Sequence, residues 1–169
     1  IELVLGWPDS LYKRIRHPVV WFGVLVCWFD NGLNREGWSH SVRYLTGAIS
    51  TLSLVGVAIL TAVGITWLFP DTGWGVGVEA LIASSLIASR SLHSHVSAVE
   101  RPLTKNDVES ARESVSMIVG RDPQQLDEAG IARASLESLA ENASDGVIAP
   151  LFWGMIFGLP GLVAYKAIN

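Results

Sequence analysis

"YLTGAISTLSLVGVAILTAVGITWLF", Tyr44 to Phe69, is a run of 26 residues without a single charge. As a helix rising about 1.5 Å per residue it is long enough to cross a hydrocarbon core of about 30 Å. Such a segment has few ways to fold, because in lipid its backbone N–H and C=O groups must be satisfied internally, which a helix achieves. Its glycines and threonines are poor for a soluble helix but suit close packing between membrane helices. Trp67 sits where an interfacial aromatic is expected, and Pro70-Asp71 closes the run. Arg35 and Arg43 precede it, whereas Asp71 is the sole charge between it and Val78. That asymmetry places Arg43 on the cytoplasmic side and "PDTGWGVG" outside. Composition agrees, with 50% of the 169 residues hydrophobic and 17% charged, against about 25% charged in soluble domains.

The remaining segments arrange themselves around this helix. A second helix is expected to return inward through "VEALIASSLIASRSLHSHVSAV", with Glu79 at its outer end and Arg90, His93 and His95 towards its inner end. "PVVWFGVLVCWF", Pro18 to Phe29, is too short to span easily and reads as a partial, tilted or interfacial helix. Cys27 within it cannot form an internal disulfide and reads as a small buried hydrophobe. From Glu100 to Asp145 there are ten acidic and five basic side chains in two helical patterns, "TKNDVESARESVSMIVG" and "DEAGIARASLESLAEN". Thr104 to Asp107 looks like a helix start, Val108, Ala111, Val115 and Ile118 mark one apolar face, and Gly120 is a C-terminal stop. In "GVIAPLFWGMIFGLPGLVAYKA" the prolines Pro150 and Pro160 are expected to break or kink a membrane-like helix. The expected fold is therefore an all-α, polytopic integral membrane protein. It comprises a membrane region (1–99) of two to three helices, a cytoplasmic helical insert (100–145) and a broken or re-entrant segment (146–169). The start at Ile1 and the end at "YKAIN" read as those of a portion of a longer protein, and no signal peptide is visible. A formal charge of −4 excludes the basic excess usual in nucleic-acid binders.

Chemistry is expected at "ESLAENASDGVIAPLFW". Arg133, Glu137, Glu141 and Asp145 recur every fourth residue and share one helix face, opposite Ile131, Ala134, Leu136 and Leu139. Asp145-Gly146 reads as the end of that helix, where two carboxylates would oppose the macrodipole. Glu141 and Asp145 bracket Asn142 and Ser144, and a bound cation would compensate the arrangement, since hard cations prefer carboxylate and carbonyl oxygen. The plain alternative is an Arg133–Glu137 surface pair worth a few tenths of a kcal/mol, the other acids merely solvated. Arg121 and Asp122 follow a helix end in "GRD", and Arg suits bidentate phosphate or carboxylate binding. Lys166 and Asn169 in "YKAIN" are further phosphate-binding candidates, although for Lys166 taken alone a snorkelling interfacial lysine is the better reading. His17 in "RIRHPV" reads as a helix-start residue, and His93 and His95 have a poor metal-ligand spacing. No P-loop and no glycine-rich dinucleotide fingerprint occurs.

"LGWPDSLYKRIRHPVVWFG", "SLHSHVSAVERPL", "ARESVSMIVGRD", "IARASLESLAENASDGVIAPLFW" and "PGLVAYKAIN", in this order along nearly the whole chain, resemble the CobD/CbiB family of cobalamin biosynthesis, the adenosylcobinamide-phosphate synthases. Members are roughly twice this length and continue beyond "YKAIN", so the chain is similar to their N-terminal part. The resemblance implies a multi-pass enzyme of the prokaryotic cytoplasmic membrane that joins adenosylcobyric acid to aminopropanol or its phosphate through an amide. ATP and Mg²⁺ are implied as the energy source, because a carboxylate does not condense with an amine unaided in water. On the matching positions, Glu141 and Asp145 would hold Mg²⁺, with Asn142 and Ser144 as neutral partners. Arg121, Lys166 and Asn169 would bind phosphate or substrate together with Asp122, and Glu137 would orient Arg133 or act as base towards the amine. Membrane lipid and other late cobalamin-pathway enzymes are implied partners. Two other readings keep the same architecture: a non-catalytic scaffold or sensor, and a small transporter subunit whose broken "GLPG" helix lines a pathway.

Overall fold

The computed structural model describes residues 13–14, 16, 18–69, 72–120 and 122–169; His17, Pro70, Asp71, Arg121 and the opening "IELVLGW" lie outside them. Among the described residues there is no strand. The helices in chain order are α1 (Pro18–Leu33), α2 (His40–Leu68), α3 (Gly73–Ser85), α4 (Ser89–Leu103), α5 (Val108–Ser116), α6 (Glu128–Ala143) and α7 (Ala149–Ile168). A π-helical turn, Ser144–Ile148, connects α6 to α7. Among the described residues three helical stretches suffice by length and composition to cross a membrane, His40–Leu68, Gly73–Leu103 and Glu128–Ile168, which is consistent with a membrane protein. The chain divides into two compact units: α1 to α3 with α7, and Ala88–Ile148.

In the first unit, α2 packs against α7 and α1. Ser39 caps α2 by accepting from the Val42 N–H at 3.4 Å, a long and weak bond. Leu54, Ala58 and Ala62 are buried at four-residue intervals on α2, against Leu159, Leu162, Val163 and Ala167 of α7. The two alanines lack bulk, which lets the helix axes approach closely. From α1 the stripe Phe22, Leu25, Phe29 joins this core. Cys27 lies off that stripe and is exposed, so it is not the buried hydrophobe expected from its apolar neighbours. Elsewhere the unit displays large apolar side chains, among them Leu52 and Leu60 at 72% exposure and Trp67 at 89%. Soluble monomers rarely expose apolar surface on this scale, whereas a hydrocarbon solvent requires it.

The inward-returning helix expected over 78–99 is interrupted. Ser84 and Ser85 turn their hydroxyls back to the carbonyls of Leu81 and Ile82, and the N–H groups of Leu86 and Ile87 close tight turns onto Ala83 and Ser84. Such hydroxyls compete with the helical ladder, and α3 stops at Ser85.

α7 is also not one straight helix. Gly158 has φ 65° and ψ −156°, a region open essentially to glycine alone, and here the chain folds back. A Cβ on Gly154 would stand 3.4 Å from the Leu162 Cβ, and one on Gly161 would meet the Trp153 carbonyl and Phe157. Residues eight apart in a straight helix lie about 12 Å from one another. The expected break is therefore real but falls at Gly158, not at Pro150 or Pro160. Pro160 lies in the first turn of the returning limb, where a missing N–H is harmless. Pro150 has no N–H for the carbonyl of Gly146 four residues earlier, and that carbonyl accepts from the Ala88 N–H at 3.1 Å.

In the second unit α4, α5 and α6 surround Val99, Ala111, Val115, Ile131 and Ala134. Val108 and Ile118 pack against that core as expected, although α5 ends at Ser116, before Ile118 and short of the expected stop at Gly120. The Asp107 and Asp127 carboxylates cap α5 and α6, accepting from the N–H groups of Ser110 and Gly130. On α6 the buried face is Ile131, Ala134, Ser135 and Ser138. Leu136, expected with them, is 64% exposed, because it lies about 140° round the helix from Ile131.

Candidate functional site

The carboxylate-bearing face of α6 meets the segment that follows α5. After α5 the chain turns through Met117 to Gly120, and Ile118, Val119 and Gly120 form one wall of a cavity of about 270 Å³ whose other wall is Ala134, Glu137, Ser138 and Glu141. Ser138 fastens the two walls. It is buried, its Oγ donates to the Ile118 carbonyl at 2.9 Å, and Asn142 Nδ2 donates to its carbonyl at 2.8 Å and its Oγ at 3.1 Å. Glu137 and Glu141 are exposed at the rim. The cavity therefore presents two carboxylates, an environment that favours a cation over an anion. Its volume sits just below the range for drug-sized ligands, which suits an ammonium group or a metal ion with part of a phosphate.

The expected residues distribute unevenly over this site. Glu137, Glu141 and Asn142 gather around Ser138. Asp145 does not line the cavity and is half-buried in the π-helical turn, next to exposed Ser144. Asp145-Gly146 does not end the helix, since the π-helical turn carries the chain into α7. Glu141 and Asp145 consequently do not confront a C-terminus of their own helix; Glu137 and Glu141 instead share the cavity with Ile118 to Gly120, the segment after α5. Gly146 serves close approach, a Cβ there lying 3.4 Å from the Ala88 Cβ. Asp122 is engaged locally, accepting from the Gln124 N–H at 2.9 Å. Arg133 is exposed and, among the described residues, forms no hydrogen bond or ion pair with Glu137. Arg121 lies outside the described residues, directly after the cavity-lining Gly120. Lys166 and Asn169 belong to the first unit, near the end of α7. Among the described residues His93 pairs with Ser97 on its own helix, ring Nδ1 to Oγ 3.2 Å.

Sequence reasoning passed over Ser138. Its signal was present: it shares the buried face with Ile131 and stands four residues before Asn142, a spacing at which helical side chains meet. Among the described residues no group of three or more His, Cys, Asp or Glu comes together as a metal cage. The donor set instead resembles the sparse protein contribution to Mg²⁺, one or two carboxylates completed by substrate phosphates and water. In the electrostatics of the unit one carboxyl stands out. The Ser110 hydroxyl and then its N–H hold the Asp107 carboxyl below its ordinary value.

The sequence pattern of the family described as "CobD/Cbib protein" matches residues 1–169, the whole chain. The chain belongs to this family. "Cobalamin biosynthesis protein CobD" of Rhodobacter capsulatus is 51% identical over all of this chain. The proteins of the same name from a Sinorhizobium species and from Brucella suis are 45% and 44% identical, again over the whole chain. The chain spans about half the length of these CobD relatives, 53% of the Rhodobacter protein and 52% of the Brucella one. No solved structure matches it.

Proposed function

We propose that this chain is part of a membrane ligase that attaches aminopropanol or its phosphate to adenosylcobyric acid, forming the amide of adenosylcobinamide or its phosphate. The observation that carries this reading is the acidic cavity between α6 and the end of α5, in a chain whose family works in cobalamin biosynthesis. An amino alcohol is a cation at neutral pH, and to displace phosphate from a carboxyl group that ATP has converted to an acyl phosphate it must be held and lose a proton. Glu137 and Glu141 supply both requirements, one orienting the ammonium group and the other accepting the proton. Ser138 and Asn142 keep the two walls in register while this happens. Mg²⁺ would be held by Glu141 with ATP phosphates, Asp145 being assigned as a second ligand although it lies outside the cavity, in the π-helical turn; the ion would neutralise the charge that develops as the acid is activated. Arg121 is assigned to phosphate.

The fold-back of α7 supports a re-entrant rather than a spanning element. Its limbs, Ala149–Phe157 and Leu159–Ile168, are about 14 and 15 Å long, each about half of a hydrocarbon core. The acidic second unit then lies on the cytoplasmic side, where ATP and the corrinoid are found.

The test uses the full-length protein in detergent with adenosylcobyric acid, aminopropanol phosphate, ATP and Mg²⁺, the amide product being read by mass. Product from the parent and a loss of 100-fold or more in folded Glu141→Gln and Asp145→Asn are expected. If corrinoid binds but no product forms under any condition, the scaffold reading replaces this one. If Asp145→Asn keeps its turnover and Mg²⁺ dependence, the metal assignment fails.

A further inference from the structure

A second cavity, wholly within the first unit and unrelated to the acidic one, lies between α1 and α2 and measures about 620 Å³. Its two ends differ in chemistry. One end is apolar, walled by Val26, Phe29 and Leu54, with Gly47 leaving the passage open. At the other end Asn34 stands between two charges: its Nδ2 donates to Asp30 Oδ1 at 2.7 Å, and its Oδ1 accepts from Arg43 Nε at 2.8 Å. This relay fixes the guanidinium, keeps Asp30 off it, and leaves both Nη groups for a ligand, because no carboxylate among the described residues closes on them. The Thr46 hydroxyl donates to the Leu33 carbonyl at 2.8 Å and ties the end of α1 to α2 at the same level. His40 adds a ring nitrogen at the rim.

Arg43 is the last charge before the uncharged run to Phe69. The cleft thus presents a phosphate-binding group and an apolar channel in the order in which a membrane lipid carries its headgroup and its chains. We propose that this cleft binds an anionic phospholipid, its phosphate held by the Nη groups of Arg43 and the first carbons of one acyl chain running along Val26, Phe29 and Leu54. A soluble anion would use the arginine but leave the apolar end unexplained. A zwitterionic lipid offers Arg43 the same phosphate, but its ammonium group offsets the negative charge that the guanidinium attracts.

The test is native mass spectrometry of the full-length protein in mild detergent, with phosphatidylglycerol and phosphatidylcholine of identical acyl chains at equal concentration. Phosphatidylglycerol is expected to be retained about fivefold better, the scale set by one basic side chain near an anionic surface. Arg43→Gln should abolish that preference and Arg43→Lys should keep it. Millimolar inorganic phosphate should not displace the lipid. Gly47→Leu offers a second handle: a Cβ there meets nothing within 4 Å, so the variant should fold while retention of both lipids falls. Equal retention of the two lipids by the parent overturns the proposal, as does no retention of either, which is the result if another part of the polypeptide fills the cleft. A preference that survives Arg43→Gln, retention unchanged in Gly47→Leu, or displacement by phosphate alone also overturns it.

Discussion

Ser135 and Ser138 sit one turn apart on the buried face of α6 and show how differently one side chain behaves in two places. Ser138 gives its hydroxyl proton to Ile118 and receives Asn142, whereas the Ser135 Oγ is buried with no hydrogen-bond partner among the described residues. A buried hydroxyl without a partner costs about 1 to 3 kcal/mol. Ser135→Ala is therefore expected to leave stability unchanged or raise it by about 1 kcal/mol, and Ser138→Ala to lower it by about 1 to 2 kcal/mol, both read by thermal melting in detergent. Destabilisation by Ser135→Ala would show that the hydroxyl has a partner after all. Asp107 gives a pH-dependent counterpart. Its folded-state value is lowered chiefly by the Ser110 hydroxyl, so its contribution to α5 is fully present above the unfolded carboxyl value of about 4 and is lost as pH falls through the folded one. Hydrogen exchange at the first amides of α5 should accelerate relative to the intrinsic rate over that interval in the parent, and Asp107→Asn should flatten the response. The sequence signalled this cap, because acceptor side chains before an apolar period act locally. It could not signal that Asn142 is occupied by Ser138, since whether a polar side chain serves a ligand or its own backbone depends on what packs against it.

At the level of elements, the uncharged run located α2, and periodicity located α5 and α6 because each rests on local hydrogen bonds and one apolar face. It failed where two segments meet. A helix returning inward is expected over 78–99, yet serine back-bonding ends α3 at Ser85 and the chain passes to another packing unit. "GLPG" announced a break but not its geometry: the reversal needs glycine at 158 for its dihedrals and at 161 for contact with the opposite limb. Gly161→Ala would drive a methyl group into the Trp153 carbonyl and to within 2.6 Å of the Phe157 Cβ. A loss of at least 2 to 3 kcal/mol is expected, of the order of other overpacked sites. Gly64→Ala on α2, where a Cβ meets nothing within 4 Å, should instead stabilise by about 0.5 to 1 kcal/mol. Comparable melting temperatures for the two variants would mean that the limbs of α7 are not packed as described.

For the whole molecule the deciding property is which solvent each unit meets. Leu60 on α2 and Leu136 on α6 are exposed to similar extents, 72% and 64%, and neither contributes to a core. In water an aspartate at such a position changes stability by about 0.5 kcal/mol or less. At the centre of a lipid-facing helix it costs about 2.5 to 3.5 kcal/mol. The two substitutions therefore read out the surroundings of their units independently of any internal contact. Leu60→Asp is expected to lower the fraction of full-length protein that survives carbonate extraction of membranes and melts cooperatively in detergent. Leu136→Asp should match the parent in both assays. Loss in both variants would place the α4–α6 unit in lipid as well and withdraw its acidic cavity from water-borne ATP. Tolerance of both would remove α2 from the bilayer, and with it the basis for a lipid between α1 and α2.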